Sequence, residues 1–269
     1  MLIFCVYYEM FKIKVNRDNI IARYALDLVE AESFDQCFAV LTRTIQELGF
    51  EGVLYTCILL HFSKDSLAQP VFKTSEAYSR EFLIHYDQAN FIEKDFVIRE
   101  IVSGREESID WWGDARVGNL NDSELEVIEV ARGDYNIRNG FTVPALSNKH
   151  EVAGASIISG DNDEIYSRLL KKELRDIECL IKLFHARVHS DNGCRGVFVQ
   201  TLLEQLNERE KDLLRFLSTG LPMKVIESKY DITPGYAKNL IKQVSKKLGV
   251  KNASQLRYLL GLYRIVDLL

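Results

Sequence analysis

No two of the five cysteines stand in a CxxC pair. Cys5, Cys37, Cys57, Cys179 and Cys194 are dispersed and odd in number, which argues against a disulfide framework or a zinc knuckle and fits a reducing cytoplasm. Prolines are few, four in 269 residues. With 47% hydrophobic residues this excludes a disordered chain. No apolar run reaches the ~20 residues of a membrane span; the longest apolar-rich stretch is VLYTCILLHF, Val53–Phe62, which reads as a buried strand. The opening MLIFCVYYEM is apolar but has no basic n-region and no small-residue cleavage site, so it makes a poor signal peptide and is expected to dock or fray. A cytoplasmic protein without a membrane partner is expected.

Catalytic signatures are also missing. There is no GxSxG, no phosphate-cradling glycine loop, and SGDNDEIY lacks EF-hand spacing. His185 and His189 stand four apart in HARVH, but no third ligand accompanies them, and a solvated helix face is the simpler reading. The sequence therefore predicts no catalytic residues, no metal and no cofactor.

What the sequence does have is a division of charge. The whole chain carries a formal −5, yet from Leu206 onward 12 Lys and Arg face 6 Asp and Glu, a net of +6 against −11 for the remainder. A basic carboxy-terminal part on an acidic protein calls for a polyanion.

Periodicity outlines two regions. FDQCFAVLTRTIQEL places Phe34, Cys37, Phe38, Leu41, Ile45 and Leu48 at helical spacing before Gly49. The strand at Val53–Phe62 follows, then helices around Ser75–Asp87, Ile92–Val102 and Asp122–Ile137. GFTVPAL and EVAGASIISG read as strands joined by a polar hairpin, SNKH. A long amphipathic helix then carries Ile165, Leu169, Leu170, Leu174, Ile177, Leu180, Ile181, Phe184 and Val188 on one stripe. SDNGCRG, Ser190–Gly196, is small and polar, the best linker candidate.

The basic part concentrates in TPGYAKNLIKQVSKKLGVKN, Thr233–Asn252, with five lysines and no acidic residue. Thr233 can cap a helix and Pro234 suits its first turn. Ala237, Leu240, Ile241, Val244 and Leu248 form a buried stripe. Lys238, Lys242 and Lys246 fall on the far side, beside Asn239 and Gln243. A short helix near Met223–Tyr230 precedes it across about three residues, which is the helix-turn-helix plan, with the second helix entering a DNA major groove. Lysines there neutralise phosphates, Asn and Gln read adenine edges, and Gly235 near the helix start lets the backbone come close. A solvated basic face on a helical bundle fits the periodicity as well.

LNEREKDLLRFLSTGLPMKVIESKYDITPGYAKNLIKQVSKKLGVKNASQL resembles, over its whole length, the DNA-binding domain of LuxR-type regulators, with Glu210, Leu214 and Gly220 on characteristic positions. Pro234, Gly235 and Tyr236 depart from the commoner residues at the recognition-helix start. The resemblance implies DNA contacts from Thr233, Gly235, Tyr236, Lys238, Asn239, Lys242, Gln243 and Lys246. Residues from about Phe34 to Val188 are similar to the acyl-homoserine-lactone-binding domain of the quorum-sensing branch, through FLIHYDQANFIEKDF, SIDWW and NIRNGFTVPALSNKHEVAGASIIS.

That similarity implies ligand-binding roles position by position. Asp95 matches the aspartate that accepts the signal's amide N–H. Trp111 matches the indole near the head group, with Trp112 one register step away. Tyr86 matches a tyrosine closing on the acyl chain, and Tyr78 and Ser156 match polar positions that bond acyl carbonyls. Gly140 matches the turn glycine. Phe82 stands where the family has a tryptophan that donates to the lactone carbonyl, and phenylalanine has no N–H to give. Phe96 replaces a proline, and Asn136 stands where many members have glycine. Asp95 also has a reading of its own, because a carboxylate among Phe91, Ile92, Phe96, Val97 and Ile98 is costly to bury without a donor. A helix cap, or a salt bridge to Lys94 or Arg99, remains open to it.

The expected fold is α+β: an α/β/α sandwich sensor domain with a central antiparallel sheet at 12–189, a linker at 190–203, and an all-α four-helix helix-turn-helix domain at 204–269. The expected function is a homodimeric, ligand-responsive DNA-binding transcription regulator, with double-stranded DNA and a small-molecule signal as partners. A PAS- or GAF-like sensor with another ligand or none, and an enzyme of acyl metabolism with a helical tail, remain as alternatives.

Overall fold

A computed structural model describes residues 19–60, 71–118 and 120–269; the first ten residues and the end of the expected strand at His61 and Phe62 lie outside them. Helix α1 (Ile20–Glu30) starts where the Asn19 side chain accepts from the Ile21 and Ala22 amides. Helix α2 (Phe34–Glu47) is capped by Ser33 and buries Phe34, Cys37, Phe38, Leu41 and Ile45, the stripe its periodicity predicts. Gly49, at φ 98°, turns the chain out of it into strand β1 (Gly52–Leu59).

The remaining strands are β2 (Val71–Thr74), β3 (Ile109–Asp110), β4 (Asn139–Ser147) and β5 (Glu151–Ser159). They form a five-stranded antiparallel sheet in the order β2-β1-β5-β4-β3. The β4–β5 hairpin pairs Gly140 with Ile158 and Thr142 with Ser156. Strand alternation then divides the sheet. One face carries Tyr55 and Phe141 toward Phe50 and the long helix α7 (Asp163–Ser190), where Tyr55 meets Phe184 edge-on at 4.9 Å. The opposite face carries Gly140, Thr142, Ser156 and Ile158. Helices α3 (Arg80–Gln88), α4 (Phe96–Val102), α5 (Trp111–Val117) and α6 (Asp122–Asp134) complete this unit. Helix α6 is capped by Asn121, whose side chain accepts from the Glu124 amide while the Glu124 carboxylate accepts from the Asn121 amide.

Two expectations about α7 change. Its buried stripe begins at Tyr166, not Ile165: Tyr166 turns inward to donate to Asp110 Oδ1 at 3.3 Å, and Ile165 is 40% exposed. His185 is not on a solvated face. It is buried, with Nδ1 at 2.8 Å from the Tyr55 hydroxyl, and His189 Nε2 lies 3.0 Å from Glu151 Oε2. No group of three or more metal-ligating side chains occurs among the described residues.

Asp191–Leu269 belongs to the second compact unit. Residues 190–203, expected as a linker, are helical instead: α8 spans Asn192–Glu204, started by the Asp191 carboxylate on the Cys194 amide and sustained by buried Phe198, Val199 and Leu202. Small polar residues mark where the helix begins, and the apolar residues behind them carry it. Helices α9 (Glu208–Ser218), α10 (Ile226–Tyr230), α11 (Pro234–Lys247) and α12 (Ala253–Leu262) follow. They share a core of Leu213, Leu214, Phe216, Leu217, Ile226, Ile232, Ala237, Leu240, Val244, Leu256 and Leu259. Among the described residues, no helix is long and apolar enough to cross a membrane.

Candidate ligand site and nucleic-acid interface

Helix α3 begins at Ser79, whose hydroxyl accepts from the Phe82 amide. One turn apart on that helix, Phe82 and Tyr86 share a face. Their ring centroids are 6.0 Å apart, and Tyr78 stands 6.3 Å from Phe82 on the other side. Asn90, in the left-handed region at φ 52°, reverses the chain and brings Asp95 back under Tyr86. The expected helix from Ile92 is thereby split into a 3₁₀ turn, Phe91–Glu93, and α4.

The Asp95 carboxylate divides its two oxygens. Oδ1 caps α4 by accepting from the Val97 amide at 2.9 Å, and Oδ2 accepts from the Tyr86 hydroxyl at 2.8 Å. The cap reading is thus correct for one oxygen, while the other, part-buried, accepts from a tyrosine. The salt-bridge reading is not correct: Lys94 pairs with Glu126, and Arg99 with Glu100 and Glu124. Burial pushes the Asp95 carboxyl above the usual carboxylate range, while the Tyr86 hydroxyl and the Val97 and Ile98 amides draw it back. Burial, and then the Asp95 charge, hold the hydroxyls of Tyr86 and Tyr78 protonated at every physiological pH. Oδ2 retains a lone pair for a further donor.

The sheet supplies the opposite wall. Thr142 and Ser156 are direct cross-strand partners, and their hydroxyl oxygens lie 2.8 Å apart. Trp111 Nε1 donates to Thr142 Oγ1 at 2.9 Å, and the Tyr78 hydroxyl donates to the Ser156 carbonyl at 3.2 Å. The Trp111 ring lies on Gly140, where a Cβ would come within 2.5 Å of Cζ3. Trp112 turns elsewhere, giving its N–H to the Arg138 carbonyl under the Arg132 guanidinium. Of the two tryptophans, Trp111 therefore belongs to this cluster. Asn136, at φ 54°, adopts the left-handed backbone its position requires.

Tyr78, Phe82, Tyr86, Asp95, Trp111 and Ser156 are thus brought together, with Ala131, Ile137 and Ile158 as apolar neighbours. Sequence reasoning missed three residues here. Thr142 links Trp111 to Ser156; a bulge between Pro144 and Leu146 shifts the hairpin register, so counting from the SNKH turn does not pair the two. Tyr135 packs edge-on against Phe82 at 5.2 Å, and its hydroxyl is 2.9 Å from His85 Nδ1. Tyr135 ends a helix and carries no periodic signal.

In the carboxy-terminal unit, Asp231, left-handed at φ 53°, stops α10, and three residues later Pro234 starts α11. Thr233 accepts from the Tyr236 amide at 3.3 Å, the cap expected of it. Thr233, Gly235, Tyr236, Lys238, Asn239, Lys242, Gln243 and Lys246 are all exposed, whereas Ala237, Leu240, Val244 and Leu248 are buried. Two adjoining stripes result: Lys238, Lys242 and Lys246 on one, Tyr236, Asn239 and Gln243 on the other. Lys247 serves a different purpose. It reaches the buried Glu210 at 2.7 Å and the Gln205 carbonyl at 2.9 Å, fastening α11 to the start of α9.

Comparison with known proteins bears on the family and the fold. Residues 33–188 match the family described as Autoinducer binding domain. The chain is 26% identical over 221 residues to the transcriptional activator protein EsaR of Pantoea stewartii subsp. stewartii, covering 80% of this chain and 85% of EsaR. Two solved structures share the fold at 17% identity. Escherichia coli SdiA has a TM-score of 0.55 with 90% of this chain and 95% of SdiA covered, and SdiA in complex with octanoyl-rac-glycerol has 0.56 with 94% and 96% covered. The domain match spans more than half of the sequence, and the chain belongs to the autoinducer-binding family of LuxR-type transcriptional regulators.

Proposed function

We propose that the amino-terminal unit, within residues 12–189, binds a small amphipathic signal through Asp95, and that a homodimer reads double-stranded DNA with α11 in the major groove. The observation that carries the ligand site is the Asp95 carboxylate, bonded to Tyr86 of the aromatic cluster with its flanking cations paired elsewhere. A carboxylate so placed favours a ligand that offers an N–H or O–H. The acyl body lies against Phe82, Tyr86 and Trp111. Phe82 provides no donor for a lactone carbonyl, so a lactone binds weakly or is replaced by another head group. SdiA, which shares the fold, forms a complex with octanoyl-rac-glycerol, whose hydroxyls meet the same requirement.

Ligand binding shifts the dimer or its domain arrangement and so changes operator affinity. No cofactor and no membrane take part, and the protein acts in the cytoplasm as a regulator rather than an enzyme. Binding is tested by thermal stabilisation of wild type and Phe82→Trp across an acyl-lactone series and octanoyl glycerol. The indole N–H restored by Phe82→Trp strengthens lactone binding by about 0.5–1.5 kcal/mol. Sedimentation tests the assembly: a dimer at micromolar concentration is expected, and a monomer with and without ligand counts against it.

A further inference from the structure

We propose that Tyr135, positioned by His85, is the head-group contact of the ligand site and selects an oxygen-bearing head group; this rests on the reading of Asp95 as the ligand's anchor. The cluster around Phe82 contains four aromatic side chains with polar atoms: Tyr78, Tyr86, Trp111 and Tyr135. Three have their single hydrogen directed to a fixed acceptor, respectively the Ser156 carbonyl, the Asp95 carboxylate and Thr142 Oγ1. Tyr135 is paired instead with an imidazole nitrogen, at 2.9 Å.

That pairing can run in either direction. With hydrogen on His85 Nδ1, the Tyr135 oxygen accepts, and its own hydrogen is available to a ligand carbonyl. With the other tautomer, Tyr135 donates to His85, and its second lone pair is available to a ligand hydroxyl. Either way the hydroxyl stands on the ring that packs against Phe82, where the phenyl itself offers no polar atom. His85 is fixed in turn by stacking on Phe91, 5.4 Å away, at the start of the turn that delivers Asp95. One short segment, from α3 to Asp95, thereby sets both the anchor and the partner of the head-group residue.

The test is isothermal titration of the full chain with two probes: N-octanoyl-homoserine lactone, and N-cyclopentyl octanamide, which keeps the acyl chain, amide N–H and ring size but lacks the lactone oxygens. Wild type is expected to prefer the lactone by up to about tenfold, the range of one hydrogen bond. Tyr135→Phe, which keeps the ring against Phe82, brings the two affinities within about twofold through loss of lactone binding alone. His85→Ala narrows the preference in the same direction, and His85→Gln, which keeps a hydrogen-bonding partner, restores part of it. Equal weakening of both probes by Tyr135→Phe marks a purely structural strap and overturns the proposal, as does an unchanged preference. Wild type binding both probes equally also overturns it while leaving the Asp95 anchor standing. Wild type binding neither probe overturns this proposal as well, while the Asp95 anchor is then decided by octanoyl glycerol.

Discussion

Tyr86 donates its hydroxyl hydrogen to Asp95 Oδ2 at 2.8 Å, across the left-handed reversal at Asn90. The two residues are nine apart in sequence. The bond favours the ionised carboxylate and opposes the upward pull of burial on its pKa.

A pH dependence follows. The folded-state pKa of Asp95 is raised above its unfolded value, so the folded protein holds this proton more tightly and stability falls as pH rises through that window, from about 4 upward. A ligand that donates to Asp95 prefers the ionised form. Its binding is expected to strengthen as pH rises through the same window, and titrations from pH 4 to 7 check this. In Tyr86→Phe, loss of a bond to a charged group lowers stability at pH 7 by roughly 1.5–3 kcal/mol, and the deficit shrinks toward pH 4.

Gly140 has no room for a side chain. In Gly140→Ala the new methyl group meets the Trp111 ring, and the ring must leave Thr142. We expect a loss of about 1–3 kcal/mol by chemical denaturation, and a change in tryptophan fluorescence that Trp112→Phe does not remove.

His185 makes the opposite linkage to Asp95. Burial lowers its pKa to about 4; the charge of Glu151 opposes this and His189 adds to it. A depressed folded value means full stabilisation above pH 6.5, lost as pH falls toward 4, by up to about 3 kcal/mol. The acid limb of a stability profile should flatten over that range in His185→Gln.

The lysines of α11 should separate by task. Lys238→Ala and Lys242→Ala are each expected to weaken operator binding and reduce the salt slope by about 0.9. Asn239→Ala should instead blur sequence preference by roughly 1–3 kcal/mol. Lys247→Ala leaves Glu210 buried without its cation, so stability falls by about 1–3 kcal/mol while the salt slope stays. Unchanged affinity and slope in Lys238→Ala would remove α11 from the groove.

Much of this was legible in the sequence. Helix α11 was readable to its cap because Thr233, Pro234 and the Ala237–Leu248 stripe are local signals. The six ligand-site residues came from similarity to a family, and periodicity alone would have left Asp95 as a cap. The sharing of its oxygens was hidden, because Tyr86 reaches it only through the reversal at Asn90. Helix α8 was hidden by two glycines in a polar stretch, and the Tyr135–His85 pair by a separation of fifty residues. His185 was misread because four-residue spacing places two imidazoles on one side of a helix without telling which side faces the sheet.

The central claim is that Asp95 anchors the signal, and the most direct measurement compares wild type with Asp95→Asn. Asparagine keeps an acceptor for the Val97 amide, so the cap on α4 survives while the charge is lost. The melting temperature of each is followed with N-octanoyl-homoserine lactone and with octanoyl glycerol. The account predicts that at least one of these raises the melting temperature of wild type and that the rise is largely lost in Asp95→Asn. Equal stabilisation of both proteins would contradict it.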